Sequence, residues 1–150
     1  MRRPQSSRRL TFSLFPAQTT AVTECITDAR RRGEENNHNS TAICFVNVGA
    51  MTSSGKGGLK EAMLKKIVAS LDVNGIPNEK AVEKVLRKKT LILILDEMDL
   101  MFKKSHGGIA RCWFKTLISW TENKKLRFSM IGISNSINDD NAHLVREIGN

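Results

Sequence analysis

Five aliphatic residues, 91–95, run directly into Asp96-Glu97-Met98-Asp99. A short, continuous apolar run of this kind predicts a strand buried on both faces, whose end delivers two adjacent carboxylates to a sheet edge. Carboxylate oxygens suit magnesium, and a second carboxylate beside the metal can polarise a water for attack on a phosphate. The pair therefore has the make-up for phosphoryl chemistry, with Asp96 holding the cation and Glu97 activating the water. Strands also stop at acidic turns for no chemical reason, and these residues alone leave that reading open. A second polar group, Ser134-Asn135-Ser136, follows the apolar step Met130-Ile131-Gly132-Ile133. If the two strands are neighbours, the Asn135 amide can reach a terminal phosphate or the lytic water in the same crevice. Without the acidic partner, an Asn after a strand is a turn residue.

The elements that must carry these groups follow from periodicity. Val22, Cys25, Ile26 and Ala29 recur at helical spacing from Thr20 and predict a helix ending near Arg30-Arg31-Arg32 and Gly33, where the dipole favours positive charge. Residues 42–48 read as a buried strand, and residues 52–58 as a Gly/Ser loop. Leu59, Met63, Ile67 and Leu71 then mark an amphipathic helix with Lys60, Glu61, Lys65 and Lys66 on its polar face. Asn74-Gly75 and Pro77 break the chain before a short helix over residues 79–87. The strand over residues 91–95 follows, then a helix over residues 109–120 and a last strand over residues 126–133. Strands apolar on both faces, alternating with helices, predict an α/β fold with a parallel sheet sandwiched by helices. Ligands of such sheets sit outside the carboxyl ends of the strands, where both polar groups fall.

At 150 residues the chain is one domain's worth, and 40% hydrophobic with 26% charged residues excludes a disordered tail, a collagen-like chain or a coiled-coil rod. No apolar run approaches the roughly 18 residues needed to cross a bilayer, so no membrane role is expected. Three cysteines without paired spacing argue against a disulfide framework or a zinc site, and fit a reducing cytosolic or nuclear compartment. Residues 1–9 are basic, Ser-rich and without periodicity, and are expected to be disordered; residues 10–150 form the domain.

Taken together, 91–100, the segment ending Leu117-Ile118-Ser119-Trp120, and 128–137 resemble the AAA+ ATPases of replication licensing. The family meant is that of cell division control protein six and subunit one of the origin recognition complex. The apolar-Asp-Glu-Met-Asp run, the helix ending in Trp, and Ile-Gly-Ile-Ser-Asn-Ser are similar to its Walker B, intervening helix and sensor-1 strand, in order and spacing. Met98 and the Ile-Gly-Ile step lean toward the cell-division-control member. The stronger similarity covers about residues 90–148, and weaker similarity reaches back to about residue 20, where Phe45-Val46-Asn47 resembles the family's second strand. The resemblance implies a three-layer P-loop NTPase-like (AAA+) core, ATP and Mg2+ as ligands, and a nuclear role in assembling the pre-replicative complex at origins. It further implies origin DNA, other origin recognition complex subunits and the helicase-loading machinery as partners. The family's lid and winged-helix domains are not expected in this chain.

The resemblance breaks at the phosphate loop, where G-x-x-x-x-G-K-S/T lets backbone N–H groups curl around phosphates that the Lys neutralises. Gly49 and Gly55-Lys56-Gly57 follow a strand and precede a helix. Their spacing is one residue too long, Gly57 stands where Ser or Thr belongs, and they lie too close to Asp96 for the strand-and-helix pair the family places between. They read as a lookalike. The position the resemblance implies is residues 15–22, after a strand over residues 10–14. There Thr20 falls at the magnesium hydroxyl and Thr19 at the lysine, with no glycine or lysine present. ATP hydrolysis is thus implied by family and weakened by residues. Either the chain is a degenerate paralogue, or the residues before Thr20 come from a misjoined exon or truncated reading frame. A catalytically dead interaction scaffold on the same fold is the alternative function.

The net charge of +9 favours DNA phosphates, although the basic clusters at 30–32, 65–66, 87–89, 103–104 and 124–125 read singly as solvated faces. By resemblance, Lys103, Lys104 and His106 are the candidate DNA contacts. Trp113 and Trp120, at helical spacing, are expected in the core.

Overall fold

The structure, a computed structural model, describes residues 11–13, 18–35, 41–52, 58–102 and 107–134. In chain order these form β1 (Thr11–Ser13), α1 (Gln18–Glu35), β2 (Thr41–Asn47), α2 (Val48–Thr52), α3 (Leu59–Ser70), α4 (Glu79–Leu86) and β3 (Thr90–Asp96). A 3-10 turn (Met98–Phe102), α5 (Gly107–Glu122) and β4 (Phe128–Ile133) complete them. The four strands make one sheet in the order β1-β4-β3-β2, with every neighbouring pair parallel.

The register explains why the strands are apolar throughout. Ala42, Cys44 and Val46 align with Leu91, Leu93 and Leu95, which align in turn with Phe128, Met130 and Gly132. This set points to one face and, with side chains from α3, α4 and α5, forms the main core. Ile94 and Ile133, on the opposite face, are buried outside that cluster, so the sheet is covered on both sides there. Among the described residues α1 adds nothing to the main cluster and meets the sheet along β2. Full burial of one such aliphatic side chain contributes roughly 1.5–3 kcal/mol, so the sheet's central strands supply much of the stability.

The helices are placed by their apolar stripes. Met63, Leu64, Ile67 and Val68 of α3 are buried, while Glu61, Lys65 and Lys66 face solvent. Lys60 is half-buried, pairs with Glu79 at the start of α4, and lies 5.6 Å from the Trp113 ring. Asn78 caps α4, its Oδ1 accepting the Ala81 N–H at 2.8 Å. Trp113 and Trp120 are core residues, in edge-to-face contact at 5.6 Å, and Trp120 repeats the geometry against Phe128. Their polar edges are satisfied: the Trp113 N–H meets Met63 Sδ at 3.3 Å and the Trp120 N–H donates to Glu83 at 2.9 Å.

Three local expectations change. The first helix continues through Gly33 to Glu35, since an interior glycine costs only about 1 kcal/mol. Cys25, expected on its apolar stripe, is exposed, as is Cys112; only Cys44 is buried, and all three thiols are free. The stretch after β2 turns into α2 before any glycine loop begins. Among the described residues no helix is long and apolar enough to cross a membrane.

Candidate functional site at the carboxyl edge of the sheet

Because all four strands run the same way, their carboxyl ends share one edge. Asn47, Asp96 and Ser134 end or follow β2, β3 and β4 there. Asp96 is buried, at 4% exposure, and is the buried charged side chain of the described residues. Its Oδ1 accepts the N–H of Glu97 at 3.0 Å and its Oδ2 accepts the Asn47 amide at 3.3 Å. Asn47 uses its other end to cap α2, Oδ1 accepting the Ala50 N–H at 2.8 Å. The side chain thus ties the β3 carboxylate to the segment leaving β2.

Glu97 takes a left-handed backbone, φ 54°, which an L-residue adopts at a cost of roughly 1–2 kcal/mol. The reversal ends β3 and starts the 3-10 turn, with the Leu100 N–H donating to the Glu97 carbonyl at 3.0 Å. It also turns the Glu97 carboxylate toward the β2 side of β3, against Gly49 of α2. A Cβ on Gly49 would collide with Glu97 Oε2 and stand 3.1 Å from Leu100 Cδ1. On the β4 side, the Ser134 hydroxyl donates to Asp99 Oδ1 at 3.2 Å, closing the edge between the last strand and the 3-10 turn.

Thr19 and Thr20 occupy the first turn of α1, which follows β1 at this same edge; the Thr20 side chain is exposed. As β4 separates β1 from β3, two inter-strand spacings of about 4.8 Å place Ser13, the end of β1, roughly 10 Å from Asp96. Asn135, Lys103, Lys104 and His106 lie outside the described residues, as do residues 53–57 with Gly55, Lys56 and Gly57. Residue 49 of the lookalike loop is helical, in α2 just after the outer strand β2, and packs against Glu97.

The Asp96 carboxylate offers two oxygens of the type a divalent cation takes, at the sheet edge where β1 also ends. The phosphate side fits poorly. Residues 14–20 hold no glycine to admit a phosphate against the backbone and no cation to neutralise it. Among the described residues no three His, Cys, Asp or Glu side chains converge as a metal cluster. Asn47 is the group sequence reasoning missed. It ends an apolar run as Asp96 ends its own, and equal register, Asn47 beside Asp96, brings them together.

No family model matches this chain, and no curated protein matches it in sequence. Its likeness is to a solved structure, the Orc1 protein of Aeropyrum pernix in complex with DNA, with a TM-score of 0.60 and 18% identity. The two share a fold. The match covers 89% of this chain and 34% of the archaeal one, so the chain spans about a third of that protein's length. What is shared is an α/β fold, a parallel sheet with packed helices, in agreement with the expected fold class.

Proposed function

We propose that this chain is the core of an AAA+ replication-licensing protein, acting with origin recognition complex subunits and helicase-loading proteins on origin DNA in the nucleus. The observation that supports it best is the placement of Asp96 and Glu97 at the carboxyl end of β3. That strand is flanked by β4 in parallel, in a fold shared with a DNA-bound Orc1 protein. In this reading ATP with Mg2+ is the ligand of that edge. Asp96 and Thr20 would hold the metal, Thr19 would stand in the position of the phosphate-binding lysine, Glu97 would orient water, and Asn135 would be the sensor-1 amide. Bound Mg2+ supplies charge neutralisation and a Lewis acid; the chain's own part is to fix the Asp96 carboxylate through Asn47.

A second reading is favoured by two observations: the missing phosphate-loop cations, and a Glu97 carboxylate turned against α2. Here the fold serves as an interaction scaffold without hydrolysis. One titration separates the two. Under the first reading a fluorescent ATP analogue binds at micromolar affinity only with Mg2+, Asp96→Asn abolishes the Mg2+ dependence, and Glu97→Gln keeps binding while losing hydrolysis. Ligand at about 100 times its Kd then stabilises the fold by about 2.7 kcal/mol. An unchanged Tm in saturating ATP and Mg2+ rejects this reading in favour of the scaffold.

A further inference from the structure

The basic clusters 87–89 and 124–127 stand far apart in sequence, yet the fold joins them at the amino edge of the sheet. Arg87, Lys88 and Lys89 lead into β3, and Lys124, Lys125 and Arg127 lead into β4. Strand pairing brings the two loops together. The Arg127 N–H donates to the Leu86 carbonyl at 2.8 Å, its carbonyl accepts the Leu91 N–H at 2.9 Å, and its guanidinium donates to the Lys88 carbonyl at 3.1 Å. Each loop also carries hydrogen bonds of its own. Lys88 and Lys89 N–H groups both bond the Val85 carbonyl, while Asn123 holds the Lys124–Lys125 turn by accepting from the Leu126 and Lys125 N–H groups.

Arg87, Lys88, Lys124, Lys125 and Arg127 are exposed, and among the described residues no ion pair engages them. The acids of the flanking α4 and α5 are Glu79, Glu83 and Glu122, with Asp72 after α3; Glu79 pairs with Lys60 and Glu83 accepts the Trp120 N–H. The edge therefore carries a net positive charge on a fixed backbone. Six residue steps of β3, about 20 Å, separate it from Asp96, beyond the Debye length of about 8 Å, so the two poles act independently.

We infer that this amino edge is a docking surface for the phosphate backbone of a nucleic-acid duplex, recognised without regard to sequence. Three features select that partner. The cations are arrayed on two tethered loops and meet repeated phosphates rather than one anion. Both tryptophans are buried, so no indole is offered for stacking on single-stranded bases. The large exposed hydrophobic of the described residues, Ile76, lies in the α3–α4 connection and not in either loop, so the apolar contribution to membrane docking is missing here. The inference does not rest on nucleotide binding at the opposite edge, nor on Lys103 and Lys104.

The test is fluorescence anisotropy of the full chain with a labelled random-sequence DNA duplex of about 20 base pairs, titrated between about 50 and 200 mM salt. Four phosphate contacts give a log–log slope of about −3.6, so affinity falls roughly 100-fold over that range. Replacing Arg87, Lys88, Lys124 and Lys125 with Glu raises Kd at least about tenfold and removes most of that slope, whereas Lys65→Glu with Lys66→Glu changes both little. Lysine acetylation of the unaltered chain gives a reading free of folding effects: duplex protects Lys88, Lys124 and Lys125. Parent-like binding by the four-Glu variant, or no protection, overturns the inference. If Lys103→Glu with Lys104→Glu alone abolishes binding, the inference fails while DNA as a partner stands. Equal affinity for polyglutamate or for anionic phospholipid vesicles, lost in the same variant, also overturns it.

Discussion

The side-chain amide of Asn47, at the end of β2, donates to Oδ2 of Asp96, at the end of β3, across 3.3 Å. The same residue caps α2 through its oxygen, so one amide fixes a buried carboxylate to the chain segment beside it. Asn47→Ala removes both bonds at once. Taking one donor from a buried carboxylate that keeps the Glu97 N–H costs about 1 kcal/mol or more, and the lost cap about 1 more. Urea unfolding followed by circular dichroism should show a lower midpoint with an unchanged m-value. Asn47→Asp, which sets a second carboxylate against the first, should lower it further at neutral pH.

Gly49 and Glu97 set up a second test. Any side chain on Gly49 must displace the Glu97 carboxylate, and Leu100 stands close behind it. Gly49→Ala should cost about 1–3 kcal/mol, the range for overpacking a tight site. In the double variant with Glu97→Ala the clash with the carboxylate disappears, so the two losses should be non-additive by about 1 kcal/mol or more in a double-mutant cycle.

Asp72 ends α3 in a left-handed conformation, φ 56°. Its N–H bonds the Ala69 carbonyl at 3.2 Å, and the Val73 N–H bonds the Val68 carbonyl at 3.1 Å, the two bonds of a Schellman cap. Glycine is the residue such a position favours. Asp72→Gly should therefore raise stability by roughly 0.5–1 kcal/mol and Tm by a few degrees, measured by thermal melting.

These variants also mark what the sequence discloses. The strand over residues 91–95 and the helix from Leu59 are plain, because an uninterrupted aliphatic run and a 3.6-residue stripe carry their burial on their face. The helix over residues 79–87 is equally legible, bounded by Pro77 before it and by its own apolar spacing. By contrast α2 and the 3-10 turn after β3 are short and set by tertiary contacts: Asn47 caps the first and the left-handed Glu97 starts the second. Neither leaves a periodic trace. At the site, Asp96 and Glu97 announce themselves as adjacent acids on a strand end. Asn47 becomes visible only once β2 and β3 are put in register. The basic loops pose the same problem at the other edge: Lys88 and Arg127 lie 39 residues apart, and only the pairing of β3 with β4 makes them neighbours.

Cys44 sits in β2 at 2% exposure, while Cys25 and Cys112 are open to solvent. The molecule thus contains its own clock for opening: two thiols available to an alkylating reagent from the start, and a third that becomes so only when β2 parts from the layer beneath it. The lag between them measures how long this outer strand stays closed on the core, with no label added.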